Sequence, residues 1–216
     1  MIGRDSTNFG LIETFLLERG EYFLRDLHME RLLASAKHFA RPADKRKILA
    51  ELHHLASTLD LSTRSKVRLV LDSKGHAEII NVPLLDPKPG PVKVAFSKDK
   101  TDPADIFLYH KTTNRALYDD ATDEARDRDL FDLIFTNLEG EVTEGAITNV
   151  MIKHGEDYFT PPILCGLLPG IYRTYLLENE EYAVKEKVLF KEDLLKADAV
   201  FVMNSVRKLL PAVLVE

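Results

Sequence analysis

The chain has 216 residues, 45% of them hydrophobic and 30% charged, with a formal net charge of -6. That length can bury a core in one large domain or two small ones, and the apolar content is too high for a disordered chain. The acidic balance, with both signs interspersed, disfavours a nucleic-acid partner, which needs Lys and Arg clustered on one face. No stretch approaches the roughly 20 apolar residues that cross a bilayer, and the start, MIGRDSTNFG, lacks the apolar centre of a signal peptide, so no membrane partner and a cytoplasmic location are expected. Cys165 is the single cysteine, which excludes an internal disulfide and a thiolate metal cluster.

Residues 11–17 (LIETFLL) and 21–25 (EYFLR) flank Glu18-Arg19-Gly20 and predict a hairpin. Asp26 is the expected N-cap of a helix carrying Leu32, Leu33, Ala36 and Phe39, and Pro42 the expected start of a second through Ile48, Leu52 and Leu59. KVRLVLD (66–72) and HAEIINV (76–82) predict a second hairpin around Ser73-Lys74-Gly75. Residues 83–91 hold four prolines and one glycine, too few backbone donors for a helix or a central strand. The expected division is therefore a small α+β domain over 1–84, a linker over 85–92 and a larger α+β domain over 93–216. In the latter, the pattern predicts a strand VKVAF, a loop reaching Lys111, a helix to about Asp129 and strands FDLIFTN and TNVMIKH. A helix from Pro169, a short helix at 191–196 and strands AVFVMN and LLPAVLV follow, without βαβ alternation.

The seven histidines show no metal-binding spacing, and no metal site is expected. GxSxG, GxxxxGK[ST] and GxGxxG are all absent, which removes serine hydrolase, P-loop and dinucleotide readings. Five segments are unusually specific for connecting regions: HMERL (28–32), YHKTTNR (109–115), VTEGAITN (142–149), TPPILCGLLPGIYR (160–173) and NSVR (204–207).

In this order and spacing they resemble the class IV aminotransferase family, the fold type IV pyridoxal phosphate enzymes, over nearly the whole chain, and within it the aminodeoxychorismate lyases most of all. The resemblance implies a two-domain α+β fold and a pyridoxal 5'-phosphate cofactor held as a Schiff base on Lys111, whose amine also serves as base and acid. It places Glu144 beside the pyridine nitrogen, where a carboxylate keeps the ring protonated as an electron sink, with Asn149 in support. It gives the cofactor phosphate the backbone of Gly170, Ile171 and Tyr172 at a helix start, the guanidinium of Arg31, and a second turn at Ser205 and Val206. Arg207 is the candidate for a substrate carboxylate.

The chain departs from the family's transaminases at Arg115-Ala116, where they carry a Tyr facing the ring oxygen; Tyr118 is the candidate replacement and a candidate substrate contact. Tyr172 stands where their phosphate cup ends in Thr, leaving only a backbone contact. Lys208 stands where many lyases have Gly, and the chain starts short of the family's first strand. The resemblance implies a lyase giving para-aminobenzoate and pyruvate, in the synthesis of the folate precursor. The alternative is an aminotransferase for branched-chain or D-amino acids, and a third reading is a silent binding protein that kept the fold. It also implies a homodimer with sites between the two domains and completed across the subunit boundary. Cys165, between Leu164 and Gly166, reads as a buried small hydrophobe.

Overall fold

The computed structural model describes residues 9–85, 89–179 and 183–216. The start assessed for a signal sequence and the centre of the proline-rich linker, Asp86 to Lys88, lie outside the described residues. By contacts the chain divides into two units: Met1–Pro87 with His110–Asn114, and Lys88–Tyr109 with Arg115–Glu216. The sequence reading kept Lys111 with the second half of the chain, whereas its segment groups with the first unit.

The first unit is an antiparallel sheet in the order β2-β1-β3-β4, formed by β1 (Leu11–Glu18), β2 (Glu21–Tyr22), β3 (Ser65–Leu71) and β4 (Ala77–Pro83). Two helices join it, α1 (Arg25–His38) and α2 (Lys45–Thr58). In β3, Val67, Leu69 and Leu71 are buried and Lys66 and Arg68 exposed, the alternation that fixes register. Phe15, Leu17, Met29, Leu32, Ile48 and Leu52 are also buried.

Two boundaries differ from the sequence reading. The second strand ends at Tyr22, because Leu24 turns left-handed (φ 53°) and α1 starts at Arg25, so Asp26 sits inside the first turn and is not the cap. Pro42 does not open the second helix; Asp44 caps it four residues before the expected apolar stripe, accepting from Arg46 N at 2.9 Å and Lys47 N at 3.1 Å.

The second unit is built on an eight-stranded sheet. Its strands are β5 (Val92–Thr101), β6 (Asp132–Asn137), β7 (Val142–Gly145), β8 (Asn149–His154), β9 (Asp157–Thr160), β10 (Val184–Glu186), β11 (Ala199–Asn204) and β12 (Lys208–Leu214). The order is β10-β9-β8-β11-β12-β5-β6-β7, and an added β7–β8 pairing at Glu144↔Asn149 closes six of the strands into a ring. The helices are α3 (Ala116–Asp127), α4 (Ile171–Glu178) and α5 (Lys191–Lys196). Val94, Ile134, Val142, Val150, Val202 and Leu194 form one buried cluster, and Ala121, Ala125, Leu133 and Phe135 a second under α3. Cys165 is free and buried, and burial together with the nearby Glu141 pushes its thiol up to about 12. Among the described residues no helix is long and apolar enough to cross a membrane.

Candidate active site

Lys111 is carried on an extended segment that pairs with the start of β1. Ile12 N donates to the Lys111 carbonyl at 2.7 Å, Thr113 N to Gly10 O at 2.9 Å, and Gly10 N to Thr113 Oγ1 at 2.8 Å. Just before it, the His110 ring lies 4.4 Å from that of His38 and shares a 2.9 Å hydrogen bond with Ser35 Oγ. The lysine backbone is thus fixed by sheet pairing rather than left on a loose loop.

Arg31 and His28 lie three residues apart on α1, so both project to the same side of the helix and reach Glu13 on β1. Arg31 donates from Nε to Glu13 Oε1 at 2.9 Å and from Nη2 to Oε2 at 2.7 Å, and His28 Nδ1 lies 2.6 Å from Oε2. Glu13 is 1% exposed; burial alone would raise its pKa, but Arg31 and His28 outweigh that and hold it at about 2. Burial keeps His28 below the usual histidine range despite Glu13, so Nδ1–H is the donor to the carboxylate. Its Nε2 is then a buried acceptor without a hydrogen-bond partner.

In the second unit, Glu144 ends up opposite Asn149 because the ring of strands closes at that pair. Tyr118, presented by α3, donates its hydroxyl to Glu144 Oε1 at 2.8 Å, and Asn149 Nδ2 lies 3.3 Å from Oε2. Burial, reinforced by Glu144, pushes the Tyr118 hydroxyl far above its ordinary value, which makes it a permanent donor. Both carboxylate oxygens are therefore aimed before any ligand arrives.

Asn149 Nδ2 also donates to Leu168 O at 3.1 Å, which ties Glu144 to the approach to α4. Helix α4 starts at Ile171 after Gly170, and no side chain caps it. Gly170 has an ordinary φ of -65°, so its smallness serves a close approach: a Cβ there would overlap Asn149 Oδ1. Ile171 and Tyr172 are buried, the latter stacked on Tyr175 at 5.8 Å between ring centroids. Ser205 and Val206 lie in the hairpin turn between β11 and β12, whose shape Asn204 sets by accepting from Val206 N at 3.0 Å and Arg207 N at 2.8 Å. Asn204 Nδ2 also donates to Ile147 O at 3.2 Å, linking this turn to the loop after Glu144. Lys208 leaves the turn at φ 58°, the left-handed conformation that glycine adopts without strain, so the turn keeps that geometry at a cost of about 1 kcal/mol.

The sequence-identified residues thus fall into two groups. Arg31 and Lys111 belong to the first unit, and Tyr118, Glu144, Asn149, Gly170, Ile171, Tyr172, Ser205, Val206 and Arg207 to the second. Tyr118, a candidate for the cofactor's ring oxygen or for the substrate, donates its hydroxyl to Glu144. Glu13, His28 and Asn204 were missed. The signal for Glu13 was present, as it is the one carboxylate within the apolar run LIETFLL, and for His28 it was the i, i+3 spacing to Arg31.

The residues present fit pyridoxal phosphate. Glu144 offers a doubly held carboxylate for a ring nitrogen, and the start of α4, which no side chain caps, suits a phosphate.

The sequence profile of the family described as amino-transferase class IV matches residues 10–215. A Schizosaccharomyces pombe protein provisionally named an aminodeoxychorismate lyase is 31% identical over 209 residues, covering 95% of this chain and 89% of that protein. The Bacillus subtilis aminodeoxychorismate lyase is 29% identical over 231 residues, covering 96% and 78%. A Mesorhizobium loti crystal structure, provisionally named an amino-acid aminotransferase, superposes with a TM-score of 0.89 at 32% identity, covering 96% of this chain and 100% of that one. The family is dependent on pyridoxal phosphate, its members being lyases or aminotransferases, and with nearly its full length matched this chain belongs to the class IV aminotransferase family.

Proposed function

We propose that the chain is a pyridoxal phosphate-dependent aminodeoxychorismate lyase, releasing para-aminobenzoate and pyruvate and so serving folate precursor synthesis. The observation that carries the choice of lyase is the fate of Arg115 and Tyr118. Arg115 is engaged by Asp119 at 2.8 Å and by Ala146 O at 3.0 Å, and Tyr118 by Glu144, so neither offers the ring-oxygen tyrosine of the transaminases. The two lyase-named relatives, matched over nearly the whole chain, support the same choice.

Lys111 would be the covalent attachment point, and its amine would remove the ring proton beside the substrate nitrogen. The carbon–oxygen bond to the enolpyruvyl group then breaks, the ring becomes aromatic, and the departing group takes up a proton to become pyruvate. The cofactor, when bound, supplies an electron sink for the pair left by that proton. Glu144 would accept from the ring nitrogen, with Tyr118 and Asn149 fixing its two oxygens. Arg31, aimed by Glu13, would donate to a phosphate oxygen, and in the second unit the start of α4 and the Ser205–Val206 turn would offer backbone donors for a phosphate. Arg207 takes a substrate carboxylate. The active form is a homodimer in the cytoplasm.

An aminotransferase needs a keto-acid acceptor and a lyase does not. With leucine or D-alanine as donor and 2-oxoglutarate as acceptor, the reading predicts keto-acid formation far slower than para-aminobenzoate release from aminodeoxychorismate. The reverse ranking would assign the chain to the aminotransferases.

A further inference from the structure

Between Glu144 and Asn149 the chain makes a tight connection, and Asp132 at the start of β6 lies beneath it. Asp132 is 1% exposed and none of its contacts is an ion pair. Its Oδ1 accepts from Ala146 N at 2.8 Å, and its Oδ2 from Ile147 N at 3.2 Å and Thr148 Oγ1 at 2.7 Å. Leu133 N adds a fourth donor at 2.9 Å. A Cβ on Gly145 would overlap both Asp132 Oδ2 and Thr148 Oγ1, so the glycine is required for this approach. The outer side of the loop is held as well, Arg115 donating to Ala146 O and Asn204 to Ile147 O. The loop's only long apolar side chain, Ile147, points to solvent, so packing does not fix its path; hydrogen bonds do, three of them converging on the Asp132 carboxylate beside the turn's own bond from Gly145 N to Thr148 O at 2.7 Å.

We propose that Asp132 is a positioning residue for the cofactor's ring-nitrogen partner: by gathering the donors of Ala146, Ile147 and Thr148 it sets the span across which Glu144 and Asn149 face each other. This inference rests on the reading of Glu144 as that partner. Asp132 acts through the loop, as the outer hydrogen-bond partners of a ligand commonly do, and such groups change affinity 10- to 100-fold when removed, by the analogy of metal sites. Asparagine is the informative replacement, since its amide turns one acceptor into a donor facing N–H groups.

The test is the dissociation constant of pyridoxal phosphate for the apoprotein, followed by its visible absorption, in wild type, Asp132→Asn, Glu144→Gln and the double variant. Positioning through Glu144 predicts roughly 10- to 100-fold weaker binding in Asp132→Asn. It also predicts that in the Glu144→Gln background Asp132→Asn adds less than about twofold, the non-additivity of residues acting as a unit. Thr148→Val, which removes one donor and keeps the shape, should weaken binding in the same direction by less, and decides the matter if Asp132→Asn does not fold. Wild-type affinity in Asp132→Asn, or an equal loss in both backgrounds, would overturn the proposal. Amide hydrogen exchange at Ala146 and Ile147 gives a readout without cofactor: faster exchange in Thr148→Val supports the role and unchanged exchange contradicts it. Were the wild type itself not to bind pyridoxal phosphate, the functional reading would fall, and the exchange rates would still report on Asp132.

Discussion

At the scale of single residues, the site depends on carboxylates held by named donors. Removing the Glu13 charge takes away a buried carboxylate that both Arg31 and His28 bind, a loss of about 3 kcal/mol or more. Glu13→Gln should accordingly unfold at markedly lower urea than wild type at pH 7. The sign of its pH dependence follows from a folded value of about 2 against an ordinary 4.5: the stabilisation is complete above 4.5 and is lost as pH falls towards 2. His28, held below 6.5 by burial, adds a loss that begins as pH falls through 6.5, because the unfolded chain takes the proton first. Urea unfolding at pH 7, 5 and 3 should therefore show wild type and Glu13→Gln converging towards pH 3, and parallel curves would contradict this assignment. Tyr118→Phe removes one hydrogen bond to Glu144 and should weaken cofactor binding about tenfold while leaving folding nearly intact, measurable by titrating the apoprotein. Lys111, Arg31, Glu144 and Asn149 were legible as residue types in distinctive local strings. Glu13, Asp132 and Asn204 were not, because their partners lie far along the chain and only the folded backbone brings the atoms together.

At the scale of elements, long periodic segments were legible, as was the short helix over Lys191–Lys196, but the short strands of the second unit were not. The alternation in β3 and the apolar stripe of α2 carry enough residues to define a period, whereas β7, β9 and β10 have four, four and three residues and none was expected. The missed β7 is the consequential one, since it is the strand on which Glu144 stands and whose pairing with β8 closes the ring. The entry to α4 makes a sharper prediction. Gly170→Ala needs no new backbone conformation, so its effect is steric and falls on Asn149. The substitution should lower thermal stability and cofactor affinity together, and shortening Asn149 in the Asn149→Ala/Gly170→Ala double variant should recover part of the thermal loss. No recovery would mean that the alanine methyl strikes something other than Asn149.

At the scale of the whole molecule, the chain leaves the first unit, returns to it for His110–Asn114, and leaves again. Composition could not reveal the return, because pairing with β1 depends on contacts about a hundred residues apart, such as Gly10 with Thr113. That return places Lys111 on the unit that also carries Arg31, while Glu144 and the start of α4 belong to the other. The most direct measurement is to incubate the cofactor-loaded protein with aminodeoxychorismate and no keto acid, following para-aminobenzoate and pyruvate, with Lys111→Ala as control. The account predicts both products in equal amounts from wild type and neither from Lys111→Ala. Wild-type protein that carries the cofactor, converts it with amino donors and yet releases no para-aminobenzoate would contradict it.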